Sequence, residues 1–396
     1  MLIKDGVFLS KAKLIFSEDY LKYDFGPQHP LKPVRLQLTY ELLKAYGIFD
    51  NPKAGIAPPR MADDDELAMV HSSEYVQLIK KFSHPDNKIR SAYEIGLGPG
   101  DNPIFPEMYE ASALVAGGSL VAADVVMENT DTHAFNIAGG LHHAKPDSAS
   151  GFCIFNDPAI AAAYLRKKYN ARVVYIDIDA HAGDGVNWIF YNDPNVLTIS
   201  FHESGRYLFP GDCFEDDIGK GAGRGYAINV PLLPYTHKDI YLSAFDQIVP
   251  PLLKAFKPDA IINQCGVDTH FTDPLPHLLL TVQTYEALAE RIHHLSHQHA
   301  KNKWIALGGG GYSPSVVARS WSSMFAIMAE VVLPNEIPES WITLTQRLTH
   351  SAPLNTRLDI EDPTSKISSD VQNKLIEYTE NLIQSIQTTI FPIHNI

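Results

Sequence analysis

Asp179 and His181 stand two residues apart at the end of a β-branched run, and Asp268 follows a second run as Gly266-Val267-Asp268. In an extended chain residues i and i+2 point to one face, so Asp179 and His181 can grip one ion, with Asp268 as a third ligand from another strand. One nitrogen and two carboxylates suit zinc or ferrous iron, and three protein ligands leave a position open for water. Two adjacent histidines, His142 and His143, follow Gly139-Gly140-Leu141. The glycines let the backbone present both rings in one pocket, as proton transfer requires. Each ring needs an orienting carboxylate, and Asp177 and Asp184 flank the ligand pair. Four glycines at 308–311 precede Tyr312. Such a run suits close backbone approach to a ligand, and the phenol can donate to a developing oxyanion. Taken singly, Asp-x-His is an ordinary polar pair and a glycine run is an ordinary turn.

Apolar runs at 133–138, 172–178, 196–201, 226–230, 260–264 and 304–307 alternate with candidate helices at 158–169, 240–255 and 281–299. Asp157 before Pro158 reads as a helix N-cap. Continuous apolar strands alternating with helices predict an α/β protein with a parallel sheet covered on both faces. Open sheets of this kind hold ligands at the carboxyl ends of their strands, where the histidines, aspartates and glycines lie. Residues before about 131 read as helix and loop, with helices at 33–48 and 107–126 and a Gly/Pro-rich loop at 96–106. We therefore expect one catalytic domain, 1–350, and a C-terminal extension, 351–396. In the extension Val371, Leu375, Leu382, Ile383 and Ile386 form a helical stripe expected to pack on the body.

The chain has 396 residues, 45% hydrophobic and 20% charged, the usage of an ordinary globular protein. Its net charge of −14 argues against a nucleic-acid partner and leaves room for cationic substrates. No run reaches the ~18 apolar residues of a membrane span, so no membrane association is expected. Cys153, Cys213 and Cys265 are far apart and form no disulfide framework. The first ten residues carry no cleavage signature, and a cytoplasmic location is expected.

The ordered set of motifs resembles the zinc-dependent histone deacetylase family, in particular its class I and bacterial acetoin-utilisation branch. The motifs are Gly-Gly-Leu-His142-His143-Ala, Gly151-Phe152-Cys153, Asp177-Ile-Asp179-Ala-His181-Ala-Gly-Asp184-Gly, Gly-Val-Asp268 and Gly-Gly-Gly-Gly-Tyr312. His29-Pro30, Arg35, Phe209-Pro210-Gly211 and Gly225-Tyr226 belong to the same pattern, which spans roughly residues 15–325. The resemblance implies an arginase/deacetylase-like three-layer fold with an eight-stranded parallel sheet flanked by helices. It implies Asp179, His181 and Asp268 as ligands of Zn2+, with Fe2+ as an alternative, and His142 and His143 paired with Asp177 and Asp184. It implies Tyr312 as the carbonyl-polarising group, Asp101 as the loop residue holding the substrate backbone, and Phe152 and Phe209 as tunnel walls beside Gly151 and Gly310. It also implies K+ near Asp177, Asp179, His181, Ser200 and Phe201, and a second K+ near Phe190, Asp193, Val196 and Tyr226.

The expected partner is an acetylated protein, presented through a lysine side chain and cleaved by metal-assisted amide hydrolysis. His143 is the expected base and then acid, with His142 assisting, although the two rings titrate as one coupled system. The sequence departs from the family at Ala182, where a second histidine is usual, at Leu208, where some members have an aromatic, and at His270, read as an exposed rim residue. Three rivals stand beside this reading. An acetylpolyamine amidohydrolase would use the same chemistry on a small amine. A two-manganese ureohydrolase would need Asp-x-His-x-Asp, whereas the spacing here is Asp179-x-His181-x-x-Asp184. A non-catalytic acetyl-lysine reader would have no need of the intact histidines and Tyr312. Oligomeric state is not encoded in any motif.

Overall fold

The computed structural model describes residues 11–84, 86–129, 132–358 and 362–396, together with two short strands, Ile3–Lys4 and Val7–Phe8. An eight-stranded sheet contains β1 (Ala12–Ile15), β2 (Ala54–Ala57), β3 (His133–Asn136), β4 (Val173–Asp177), β5 (Val196–Glu203), β6 (Ala227–Leu232), β7 (Ala260–Gln264) and β8 (Trp304–Leu307). Their spatial order is β2-β1-β3-β8-β7-β4-β5-β6, and every pairing is parallel. Every residue of β3 to β8 is buried, which is why these strands read as unbroken apolar runs rather than alternating ones.

Helices cover both faces. Ala122, Ala123, Val126, Ala159, Ala162 and Leu165, from helices Met108–Glu128 and Asp157–Tyr169, pack on Ala134, Val173, Tyr175 and Ile305. On the other face Phe245, Leu288 and Trp321, from helices Lys238–Phe256, Val282–His299 and Pro314–Met328, join the cluster that holds Phe135, Val174, Ile261 and Ala306. Small alanines on one side and large rings on the other keep both layers close to the sheet.

Four expectations change. The first 130 residues supply two sheet strands as well as helices and loops. β2 is only Ala-Gly-Ile-Ala at the sheet edge with Ile56 40% exposed, a strand that no β-branched run announces. The cap of the 157–169 helix is Asn156, whose side chain accepts from Ala159 N; Asp157 is the first helical residue and its carboxylate serves elsewhere. Helix Met108–Glu128 is long and apolar enough to cross a membrane by length and composition, but 67% of that stretch is buried inside the protein, which makes it a core helix. In the C-terminal helix Ser369–Ile390, Leu375, Leu382, Ile383 and Ile386 are buried, but Val371, in the first turn after the Ser368 cap, is 37% exposed. Leu382, Ile383 and Ile386 join the main core, and Tyr378 Oη donates to Pro231 O of β6 at 2.9 Å.

Candidate active site

The central strands β3, β8, β7 and β4 end on one side of the sheet, and the loops that follow them meet there. The β3 loop carries the histidine pair. Asp157 holds that loop in place, because its carboxylate accepts from Gly140 N at 3.0 Å, Leu141 N at 2.8 Å and Ser119 Oγ at 2.5 Å. Asn156 Nδ2 donates to the carbonyls of His142 and Ala144, both at 2.9 Å. His71 Nε2 in turn accepts from Asn156 N at 3.0 Å.

His142 Nδ1 lies 2.7 Å from Asp177 Oδ2, and His143 Nδ1 lies 2.7 Å from Asp184 Oδ1. The two Nε2 atoms face each other at 3.0 Å. All four residues are buried. Burial opposes charge on His142, but the carboxylates of Asp177 and Asp179 outweigh it and push its pKa up to about 9. Burial, and then the positive His142, push His143 down to about 4. Identical rings one residue apart are thus driven to opposite protonation states, the pattern that separates an electrostatic group from a base.

Asp179, His181 and Asp268 each offer a ligand atom within 4.8 Å of the others, and all three are buried. The extended-chain argument for Asp179 and His181 does not hold, since β4 ends at Asp177. Side-chain turns replace it: Asp179 N donates to Asp177 Oδ1 and His181 N donates to Asp179 Oδ1, both at 3.0 Å. Asp268 reaches across from the β7 loop, with Oδ2 2.9 Å from His181 Nδ1 and Oδ1 accepting from Ala180 N at 2.8 Å. Burial and the neighbouring Asp179 push Asp268 up to about 6. Burial works against charge on His181, but Asp179 and Asp268 pull it up to about 10. Two buried carboxylates converging on one imidazole demand positive charge, and a divalent cation meets that demand with a donor set suited to it.

The glycine run borders this cluster. A β-carbon on Gly310 would lie 2.2 Å from Asp268 Oδ2 and 2.8 Å from Asp179 Oδ2, so only glycine fits. Gly310 N donates to Asp179 Oδ2 at 2.7 Å, which makes Gly310 a holder of the ligand as well as a wall of the pocket. Arg35, buried under Trp321 at 5.2 Å, donates to Gly309 O at 2.5 Å and Gly311 O at 3.4 Å and fixes the run. Tyr312 N donates to Asp273 Oδ2 at 2.8 Å. Burial and then the nearby Asp268 raise the Tyr312 phenol well above its usual range, so it stays a donor.

A cleft of ≈ 380 Å³ opens above these groups, lined by Asp101, His143, Gly151, Phe152, His181, Leu208, Phe209, Leu275 and Tyr312. Phe152 meets Tyr312 edge-on at 5.8 Å, and Phe209 meets His143 edge-on at 5.0 Å. Gly151, at φ +52°, lets its loop pass against His143, where a β-carbon would lie 2.4 Å from the ring. Asp101 lies exposed at the rim, its carbonyl 3.1 Å from His29 Nε2. Leu208 lines the cleft where an aromatic stands in some members, and Ala182 is fully buried. His270 is not a rim residue: it is only 2% exposed and its Nδ1 lies 2.9 Å from Thr272 Oγ1.

The residues named for potassium fall into two groups. Sheet register pairs Asp177 with Ser200, next to Phe201, beside Asp179 and His181. Phe190, Asp193 and Val196 form the turn into β5, where Asp193 N donates to Phe190 O at 2.9 Å; Tyr226 O accepts from Thr198 N at 2.9 Å. Gln264, Asp157, Asn156, His71 and Asp273 were not foreseen as parts of the site. Gln264 ends β7 and donates to Asp179 Oδ2 at 2.7 Å, and the signal that could have found it is an amide closing a buried apolar strand.

Residues 29–328 match the histone deacetylase domain. The chain is 41% identical over 394 residues to the acetoin utilization protein AcuC of Bacillus subtilis (strain 168), covering 99% of this chain and 98% of that one. It is 42% identical over 336 residues to AcuC of Staphylococcus aureus (strain MRSA252), covering 84% of this chain and 86% of that one. Among solved structures an HDAC homologue from Aquifex aeolicus superposes with a TM-score of 0.82 at 27% identity, covering 96% of this chain and 100% of that one. An HDAC homologue complexed with SAHA matches equally well. The fold is accordingly the three-layer arginase/deacetylase fold, and the chain belongs to the histone deacetylase family, in its AcuC-like branch.

Proposed function

We propose that this deacetylase hydrolyses the amide of N6-acetyl-lysine in proteins, releasing acetate and free lysine, in the cytoplasm. The observation that carries the reading is the narrow, aromatic-walled cleft that ends on the histidine pair, Tyr312 and the Asp179–His181–Asp268 cluster. Phe152 and Phe209 suit a slender, neutral acyl-lysine chain, and Asp101 at the rim can accept the backbone N–H groups of an extended peptide.

Asp179, His181 and Asp268 would hold the divalent ion, Zn2+ first and Fe2+ second; when bound it supplies Lewis acidity to the acetyl carbonyl and to water. The steps assigned to the chain itself are proton transfers and charge stabilisation. His143, held neutral by burial and oriented by Asp184, takes the proton of the attacking water at Nε2 and returns it to the leaving lysine amine. His142, kept charged by Asp177, stabilises the negative charge that develops. Tyr312 donates its phenol hydrogen to the oxyanion. K+ beside Asp177 and Ser200, and at the second group around Phe190, Asp193, Val196 and Tyr226, would compensate buried carboxylates and carbonyls.

Gln264→Leu removes the donor to Asp179 and the acceptor of Gly266 N. We expect a loss of metal affinity of about 10–100-fold, read by competition with a chelator. Unchanged affinity would leave Gln264 a packing residue only.

The substrate class is tested by comparing an acetyl-lysine peptide with N-acetylspermidine under identical conditions. A higher kcat/KM for the peptide supports the proposal. A higher value for acetylspermidine would move the assignment to a polyamine amidohydrolase, and saturable peptide binding without turnover would make the protein a reader.

A further inference from the structure

At the opposite, amino-terminal end of the sheet a second group of histidines converges. His133 is the first residue of β3, and His293 and His297 lie one turn apart on helix Val282–His299. A spacing of i, i+4 puts both rings on one helix face. Each of the three offers a ring nitrogen within 4.8 Å of the others, and the Nε2 atoms of His293 and His297 are 2.9 Å apart. The ring centroids of His293 and His297 lie 4.9 and 5.6 Å from that of His133.

His133 gives an independent indication of a ligand. It is only 2% exposed, yet its Nδ1 has no hydrogen-bond partner among the described residues. Its ring is hydrogen-bonded to the Asn302 backbone in the sense that favours a proton on the ring. With Nδ1 unpartnered, that bond belongs to Nε2, so Nε2 carries the hydrogen and Nδ1 is left as a bare lone pair. A backbone carbonyl fixing one nitrogen while the other lone pair stays available is how metal-ligating histidines are oriented. Leaving a buried acceptor unsatisfied forfeits its hydration with nothing in return, so the arrangement calls for an occupant. Trp304, 5.6 Å from the His133 ring, closes the apolar side, and exposed His297 opens the other to solvent.

We propose that His133, His293 and His297 form a second divalent-metal site, distinct from the catalytic cluster, that takes Zn2+ or a similar imidazole-preferring ion. Three neutral imidazoles are a donor set for zinc, with water in the fourth position. Nitrogens bound to one tetrahedral zinc lie about 3.3 Å apart. The 2.9 Å pair therefore needs to spread by only a few tenths of an ångström. Lys11 is the nearby cation that would oppose an ion, and Glu330 pairs with it at 3.8 Å. The site ties the start of β3 to the helix covering it, at the end of the sheet opposite the cleft, so its role would be structural or regulatory rather than chemical.

The test is the zinc content of the full chain after equilibrium dialysis against micromolar Zn2+, with the melting temperature measured in parallel. Wild type is compared with His297→Ala and with the His293→Ala/His297→Ala pair. Alanine suits an exposed helix position, so His297→Ala keeps the fold. We expect wild type to hold one more Zn2+ per chain than the double variant, and zinc to raise its melting temperature further. His297→Ala should bind that additional ion about 100-fold more weakly, with peptide turnover unchanged in both variants. Equal zinc content in wild type and the double variant would overturn the proposal. So would an equal response of their melting temperatures to zinc.

Discussion

Replacing His143 by alanine is expected to lower turnover of an acetyl-lysine peptide by about 10²–10⁴-fold, the range for losing a positioned general base. Three features concentrate the effect on this residue. His143 lines the cleft directly. Asp184 locks its orientation from behind at 2.7 Å. Burial and its charged neighbour hold it neutral near physiological pH, so it can accept a proton. His142→Ala removes charge rather than the base and should cost less. Its loss should also raise the pKa of His143, because His142 is the second cause holding that ring down. The pH–rate profile of His142→Ala would then shift its lower limb upward. If His143→Ala retained wild-type kcat, or if His142→Ala proved the more damaging, the assignment of roles within the pair would be reversed.

Tyr312→Phe is expected to lower kcat by about 10²–10³-fold, equivalent to roughly 3–4 kcal/mol of transition-state stabilisation. Phenylalanine keeps the ring that meets Phe152 at 5.8 Å, so the cleft wall and KM should change little. An interaction made only as the oxyanion develops is lost from kcat and kcat/KM together. The backbone of Tyr312 is held independently of its hydroxyl, through its N–H to Asp273 and through Arg35 on the glycine run. A large rise in KM with kcat unchanged would instead make Tyr312 a substrate-binding residue.

Much of the site was legible in the sequence because its residues are short motifs at strand ends, where side-chain type and spacing survive as one-dimensional patterns. His142-His143, Asp179-x-His181 and the glycine run before Tyr312 are of this kind. The parallel sheet was legible too, since strands buried on both faces read as continuous apolar runs. The residues that escaped notice act across long separations. Gln264 meets Asp179 85 positions away, and Arg35, read only as part of the motif pattern, meets the glycine run 274 positions away, a contact the sequence did not reveal. Asp157 carried a true local signal, an acidic residue before proline, that suited a cap equally well. Its carboxylate was drawn instead to two amides of the histidine loop, and Asn156 took the cap. Edge strand β2 was invisible because a single β-branched residue, Ile56, among two alanines and a glycine makes no run. His270 looked like a rim residue because its polar neighbours suggested a loop, yet the loop folds inward against Phe271 and Tyr285.

The central claim is that a divalent ion held by Asp179, His181 and Asp268 makes this chain an acetyl-lysine amidohydrolase. Its most direct test is acetate release from an acetyl-lysine peptide by the metal-stripped full chain, before and after titration with Zn2+. The account predicts negligible release before titration, recovery as zinc fills the site, and no recovery in Asp179→Asn. Undiminished release from stripped protein, or full recovery in Asp179→Asn, would contradict it.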